Sequence, residues 1–303
     1  MLHPVYRGTT GLAHGDLDGD GDQDLVVSTR EGLQFHQNRG SGVFDDVTAG
    51  GVSAGVAYFA IAVADLDGDG DPDVLGVRKN AIDLYENTTV VNGPLTFQLT
   101  TIATSVVGTG SESLVVADLL GSKLPDIYVG NEGTVQPDLI LENQGRSTSG
   151  WVFVPQPSVL GTPYNTSCVA VADVNSDQRP DLLVGDRRGR IAVLVWQGTQ
   201  FVQQQLLITP GNGVPVSMAV GDFDGDGRPD LFVTTTDTVQ PNILLLNTGS
   251  AAGWLAQKAV AFARSGPGYA IALDVDRDGD VDVITVNSEY CVVPSPAPRN
   301  FLW

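Results

Sequence analysis

Short apolar runs recur along the chain, each bounded by polar, glycine-rich segments. Residues 60–64 (Ala-Ile-Ala-Val-Ala), 114–117 (Leu-Val-Val-Ala), 169–172 (Val-Ala-Val-Ala) and 218–221 (Met-Ala-Val-Gly) each lead into a polar loop. Residues 25–27, 127–129, 182–184 and 231–233 each follow one. The runs are too short for buried helices and rich in β-branched side chains, so they predict strands. A third run follows, clearest at 136–143 (Gln-Pro-Asp-Leu-Ile-Leu-Glu-Asn) and 240–247 (Gln-Pro-Asn-Ile-Leu-Leu-Leu-Asn). A fourth begins at an aromatic residue: Phe44, Phe97, Trp151, Phe201 or Trp254. No amphipathic helical pattern stands out, and Gly and Pro punctuate throughout.

The loop between the first and second runs repeats. Its first aspartate falls at 16, 65, 118, 173, 222 and 274, at intervals of 49, 53, 55, 49 and 52 residues. Four short strands per unit of this length, repeated, predict propeller blades. A stacked solenoid is the second reading, disfavoured because neither chain end carries an atypical capping repeat. The expectation is a six-bladed β-propeller, all-β, with four-stranded antiparallel blades, in one domain over 1–303. Its repeats run roughly 1–45, 46–98, 99–153, 154–203, 204–256 and 257–303. The last repeat lacks a fourth strand, and the N-terminal segment around residues 3–7 is expected to supply it, closing the ring and hiding two sheet edges.

The loops carry the candidate chemistry. Four are complete: Asp16, Asp18, Asp20, Asp22 and Asp24; Asp65, Asp67, Asp69, Asp71 and Asp73; Asp222, Asp224, Asp226, Arg228 and Asp230; Asp274, Asp276, Asp278, Asp280 and Asp282. Calcium takes six to eight hard oxygens at about 2.3–2.6 Å. Side chains at loop positions 1, 3 and 5 can converge on one point, glycine at position 6 permits positive φ, the position-7 carbonyl faces inward (hence Arg228 and Arg179), and position 9 closes the shell. The helix–loop–helix calcium site is excluded: it needs Glu at position 12, where this chain has Val27, Gly76, Val233 or Thr285, and the flanks are strands. A fifth loop keeps Asp173, Asn175, Asp177, Arg179 and Asp181, with Gln178 in place of glycine, and is expected to bind more weakly. The loop 118–126 has Leu120 and Ser122 at ligand positions and is expected to hold no metal, with the Lys123 ammonium standing in for the ion's charge.

Charge sharpens this. The chain has 36 acids and 16 bases, a net charge of −20. That argues against nucleic acid and anionic membrane as partners. Twenty-four of the 36 acids lie inside the six loops, so the excess is placed rather than spread over a solvated tail. No apolar stretch is long enough to insert in a membrane, and no leader peptide is visible. Cys168 lies in an apolar run and reads as a buried thiol; a bridge to Cys291 is the alternative. Asn87 and Asn165 begin glycosylation acceptor patterns.

These strand-flanked loops resemble the FG-GAP/VCBS repeats of integrin-α-type propellers. Residues 240–247 and 44–48 (Phe-Asp-Asp-Val-Thr) are similar to the extended versions in bacterial secreted proteins and relatives of cartilage acidic protein. The resemblance covers essentially the whole chain. It implies calcium in the loops on one face, with partners docking on the opposite face or between blades. Family members include adhesion receptors, fungal lectins, and scaffolds attached to lyases or lipases; no sugar-binding residue carries over.

The expected function is a calcium-stabilised extracellular binding or adhesion module, monomeric, that recognises a glycan or an extracellular protein. Calcium sites of about 10⁻⁴–10⁻³ M affinity would be empty in cytosol, hence the extracellular placement. One alternative is the propeller of a secreted polysaccharide- or ester-acting enzyme, catalytic or not. No nucleophile elbow, zinc motif or phosphate loop supports catalysis, and the three histidines, His3, His14 and His36, form no motif. The other is a structural surface-assembly subunit. Tyr58, Tyr164 and Tyr269 each precede an inner strand and either face a partner or, the favoured reading, pack at the blade top. The aromatic residues opening the fourth strands are expected between blades.

Overall fold

The computed structural model describes residues 11–40, 43–48, 55–103, 111–131, 137–157, 159–160, 164–236, 242–250, 253–258, 268–273 and 279–287. Blade 1 comprises β1 (Gly11–Gly15), β2 (Asp24–Thr29), β3 (Gly32–Asn38) and β4 (Phe44–Asp46). Blade 2 comprises β5 (Ala60–Ala64), β6 (Asp73–Arg78), β7 (Ala81–Asn87) and β8 (Phe97–Ala103), and blade 3 β9 (Ser111–Ala117), β10 (Asp126–Asn131), β11 (Leu139–Ser147) and β12 (Gly150–Pro155). Blade 4 comprises β13 (Thr166–Ala172), β14 (Asp181–Asp186), β15 (Arg190–Trp196) and β16 (Phe201–Ile208), and blade 5 β17 (Pro215–Gly221), β18 (Asp230–Thr235), β19 (Ile243–Asn247) and β20 (Leu255–Lys258). Each blade is a four-stranded antiparallel meander in chain order.

The expected count of six blades is corrected to five. The sixth repeat gives a two-stranded sheet, β21 (Gly268–Leu273) with β22 (Asp282–Asn287). Residues 288–303, where further strands of that repeat were expected, lie outside the described residues. The N-terminal segment expected to close the ring lies outside the described residues.

The chain divides into two compact units, 1–157 and 158–303. In the first, β1 lies against β5 and β5 against β9; in the second, β13 lies against β17 and β17 against β21. Within each unit the core forms between blades. Leu75, Val77, Ile82 and Leu84 of blade 2 pack with Ile127, Val129, Leu139 and Leu141 of blade 3, and Trp151 closes the cluster. Phe35 of blade 1 stacks on Phe97 of blade 2 at 4.8 Å. Ile191, Val193 and Val195 of blade 4 meet Val233, Ile243 and Leu245 of blade 5, with Trp254 against them. The second strands are buried on both faces, as a sheet sandwiched between neighbours requires.

Tyr58 and Tyr164 are buried, whereas Tyr269 is 54 % exposed. Tyr58 occupies the space over Gly76, where a Cβ would lie 2.4 Å from its ring, so it packs in the core as the favoured reading had it. Cys168 is a buried free thiol with its pKa pushed up to about 12 by burial, and Cys291 lies outside the described residues.

Candidate metal centres

Each 1–2 loop leaves an inner strand and returns as a buried second strand. Its shape is set by the first and last aspartates. At position 1, Asp16 accepts the N–H groups of Asp20 and Gly21, both at 3.0 Å. Asp65 accepts those of Gly68 and Gly70, Asp173 those of Asp177 and Gln178, and Asp222 those of Gly225, Asp226 and Gly227. Asp118, in the loop without a full ligand set, does the same with Gly121 and Lys123. Side-chain acceptors two to five residues upstream are how Asp organises a tight turn.

Position 6 takes positive φ in every described loop. Gly21, Gly70 and Gly227 sit at +95°, +97° and +82°, and a Cβ there would touch nothing, so the backbone angle alone calls for glycine. Lys123 (+77°) and Gln178 (+67°) adopt the same conformation against their intrinsic preference. The loop path thus survives where its sequence has drifted. The Lys123 ammonium makes no ion pair among the described residues.

Position 9 is a staple. Asp24, Asp73, Asp126, Asp181 and Asp230 are all buried. One oxygen of each accepts a backbone N–H near the loop's start, from Leu17, Leu66, Leu120, Val174 or Phe223. The other accepts the N–H of a third-strand residue, from Asn38, Asn87, Asn143, Trp196 or Asn247. Burial pushes these carboxyls up, Asp73 and Asp181 to about 7 and Asp126 to about 6, although the two donors pull each partly back. Asp24 and Asp230 shift upward for the same reason, and Asp67 through burial and the charge of Asp69. At Asp67 the Arg146 charge offsets part of that rise.

Three loops gather ligand oxygens. Asp16, Asp18 and Asp24 in blade 1, Asp65, Asp67 and Asp69 in blade 2, and Asp222, Asp224 and Asp230 in blade 5 each place three carboxylate oxygens within 4.8 Å of one another. All-oxygen, carboxylate-rich sets of this kind suit a hard divalent cation. Asp20, Asp22, Asp71, Asp73 and Asp226 fall outside these trios. Asp226 is paired instead with the Arg228 guanidinium, whose Nε also donates to the Asn247 carbonyl at 2.9 Å. In the blade 4 loop, Asn175 Nδ2 donates to Asp177 at 2.9 Å, and no trio is found among the described residues. Of the sixth loop, Asp274, Asp276 and Asp278 lie outside the described residues; Asp280 and the buried Asp282 lie within them.

Sequence reasoning missed the residues that hold the loops from outside. Gln37 Nε2 donates to Asp18. Arg146 of blade 3 pairs with Glu86, stacks over Trp151 with its guanidinium carbon 5.4 Å from the ring centre, and lies 3.8 Å from Asp67. The amides of Asn87, Asn143 and Asn247 reach the preceding blade's loop, donating to the carbonyls of Leu17, Leu66 and Val174 at 2.9, 2.7 and 2.9 Å. The signal was present: these asparagines close the third apolar runs.

Among solved structures, the Agrocybe aegerita lectin that recognises non-reducing terminal N-acetylglucosamine matches with a TM-score of 0.58 at 19 % identity, over 91 % of this chain and 74 % of its own. BBS1N, solved in complex with ARL6DN and soaked with mercury, matches with a TM-score of 0.59 at 13 % identity, over 95 % and 79 %. At such identities the likeness is one of fold. No curated protein sequence is significantly similar to the chain. The model of the FG-GAP-like repeat matches residues 16–76, 67–129, 118–184 and 173–233. Those four matches run without a break from the first acidic loop to the second strand of blade 5, and the chain belongs to the FG-GAP-like repeat family, whose propeller blades it carries.

Proposed function

We propose that the chain is an extracellular recognition module whose blades are pinned by calcium. The observation that carries this is the convergence of three carboxylate oxygens within 4.8 Å in the 1–2 loops of blades 1, 2 and 5. Calcium there supplies positive charge and fixed oxygen geometry; the chain's own residues supply the cage. Metal fills the loops of blades 1, 2 and 5, and that of the sixth repeat. The loop of blade 4 binds more weakly, and that of blade 3 stays empty. The ions act on stability, at about 0.4–1.4 kcal/mol per site at millimolar calcium if each dissociates at about 10⁻⁴–10⁻³ M.

Recognition is supported by the fold's company: a glycan-recognising lectin and a protein solved with a protein partner share it. A rigid blade scaffold with variable loops suits either ligand, and catalysis has no residue constellation to rest on. Chelation with EGTA is the first test. Melting should shift down by several degrees and metal analysis should return several calcium ions per chain. An unchanged melting curve with no bound calcium would remove this reading. A glycan array and an extracellular-protein pull-down, both in calcium, then separate the two ligand classes.

A further inference from the structure

The blades are electrically polar. Their 1–2 loop ends gather acids, and in blades 2 and 4 the opposite end, the hairpin between second and third strands, gathers bases. In blade 2, Arg78 and Lys79 sit at that turn, and Arg78 Nε and Nη2 grip buried Asp83 at 2.6 and 3.0 Å. Burial alone would raise the Asp83 carboxyl, but hydrogen bonds from Arg78, Thr101 and Tyr58 hold it below the usual carboxylate range. Blade 4 goes further. Its turn places Arg187, Arg188 and Arg190 within four residues of a chain whose net charge is −20. Buried Asp186 accepts the N–H groups of Arg188 and Arg190 on one oxygen and the Arg190 guanidinium on the other. Arg187 and Arg188 are exposed at the tip.

That tip is braced. Thr209 donates its N–H and its hydroxyl to the Gly189 carbonyl at 2.9 and 3.0 Å. A Cβ at Gly189, φ +71°, would stand 2.6 Å from the Asn212 carbonyl oxygen, so the turn is pressed onto its support. Arg190 faces Ile208 across the ladder, and Ile208 and Leu206 are 68 % and 41 % exposed on the edge strand. The result is a stiff basic point with an aliphatic flank.

Its complement lies on the same chain. The blade 1 loop carries five aspartates, and beside it stand Val90 and Val91, 77 % and 61 % exposed. They are fixed there: Asn92 donates to the Asp18 carbonyl at 2.7 Å, and Val91 Cγ2 lies 3.4 Å from where a Cβ on Gly19 would be. An acidic loop with an aliphatic flank matches a basic turn with an aliphatic flank in both charge and apolarity. The loop stays acidic with or without one divalent ion, so the match does not depend on the metal.

We propose that the 187–190 hairpin of one copy, with Leu206 and Ile208, docks on the 16–24 loop and Val90–Val91 of a second copy. Because each copy carries both surfaces, two copies can pair reciprocally or associate head to tail. The sequence expectation of a monomer then holds only for dilute protein.

Sedimentation velocity of the full chain in calcium, from low to high micromolar concentration, tests this. The sedimentation coefficient should rise with concentration at low salt and fall back at high salt. R187E/R188E should remain monomeric throughout, and V90S/V91S should associate at least about tenfold more weakly. Mixed at concentrations where neither associates alone, the two variants should still form a complex, since the intact 16–24 surface of one meets the intact hairpin of the other. Circular dichroism and melting curves matching wild type establish that both variants fold. Wild type monomeric at every concentration, or R187E/R188E associating like wild type, overturns the proposal. So does capture of wild type but not R187E/R188E on a polyuronate resin without self-association, which would assign the arginines to an external polyanion.

Discussion

The loops 65–73 and 118–126 belong to neighbouring blades, follow one backbone path and share little side-chain chemistry. Both are braced by the first aspartate and stapled by the last, and both take positive φ at position 6. Only the first brings three carboxylates together. The difference separates two jobs that the repeat writes in one residue type. Aspartates at positions 1 and 9 hold the loop to itself and to the third strand, with or without metal. The aspartate at position 3 stands in each of the three carboxylate trios, and the loop keeps its path where Leu120 replaces it.

Substitutions that take the two jobs apart give the clearest checks. Asp126→Ala should cost about 3 kcal/mol, because it orphans the buried N–H groups of Asn143 and Leu120. Urea unfolding should return the same loss in calcium and in EGTA; a loss seen only in calcium would put a metal in this loop. Asp67→Ala should behave oppositely, costing about 1 kcal/mol in calcium and close to nothing in EGTA. Lys123→Gly and Gln178→Gly should each stabilise by up to about 1 kcal/mol, as relief of positive-φ strain outweighs the added freedom of the unfolded chain.

The smallest effect is one of pH. Burial raises Asp126 to about 6 from the ordinary 3.8, so the folded chain takes up this proton before the unfolded chain does. Its contribution to stability therefore grows as pH falls from 7 through 6 and levels off below about 4. Melting of calcium-free protein should show that slope, and Asp126→Asn should flatten it.

Much of this was legible beforehand. Six acid loops at a near-constant interval, each between β-branched runs, fix where the first two strands of a blade begin and end, and Gly21, Gly70 and Gly227 mark the turn that needs them. The aromatic residues opening the fourth strands fell where expected, Phe97 and Trp151 against neighbouring blades. Less legible was what each aspartate is for, because a hydrogen-bond acceptor and a metal ligand are the same carboxylate in a sequence. Arg228 was read only as lending a carbonyl; its guanidinium pairs with Asp226. Tyr58 packs inside, as the favoured reading had it, but its partners were not legible: its hydroxyl meets Asp83 and Tyr85 inside blade 2, a network that exists only once β5, β6 and β7 are assembled. The sixth repeat read as a blade on its loop and on residues 300–303 as a third strand; among the described residues it gives two strands.

The asparagine amides carry one more implication, for the order in which the protein is made. Leu17, Leu66 and Val174 are tied by side chains 70, 77 and 73 residues further along. During synthesis, a blade emerging from the ribosome must therefore wait for most of its successor before its acidic loop is secured. Maturation should advance as a wave that trails translation by about one repeat, leaving the newest loop as the site most open to chaperones and proteases.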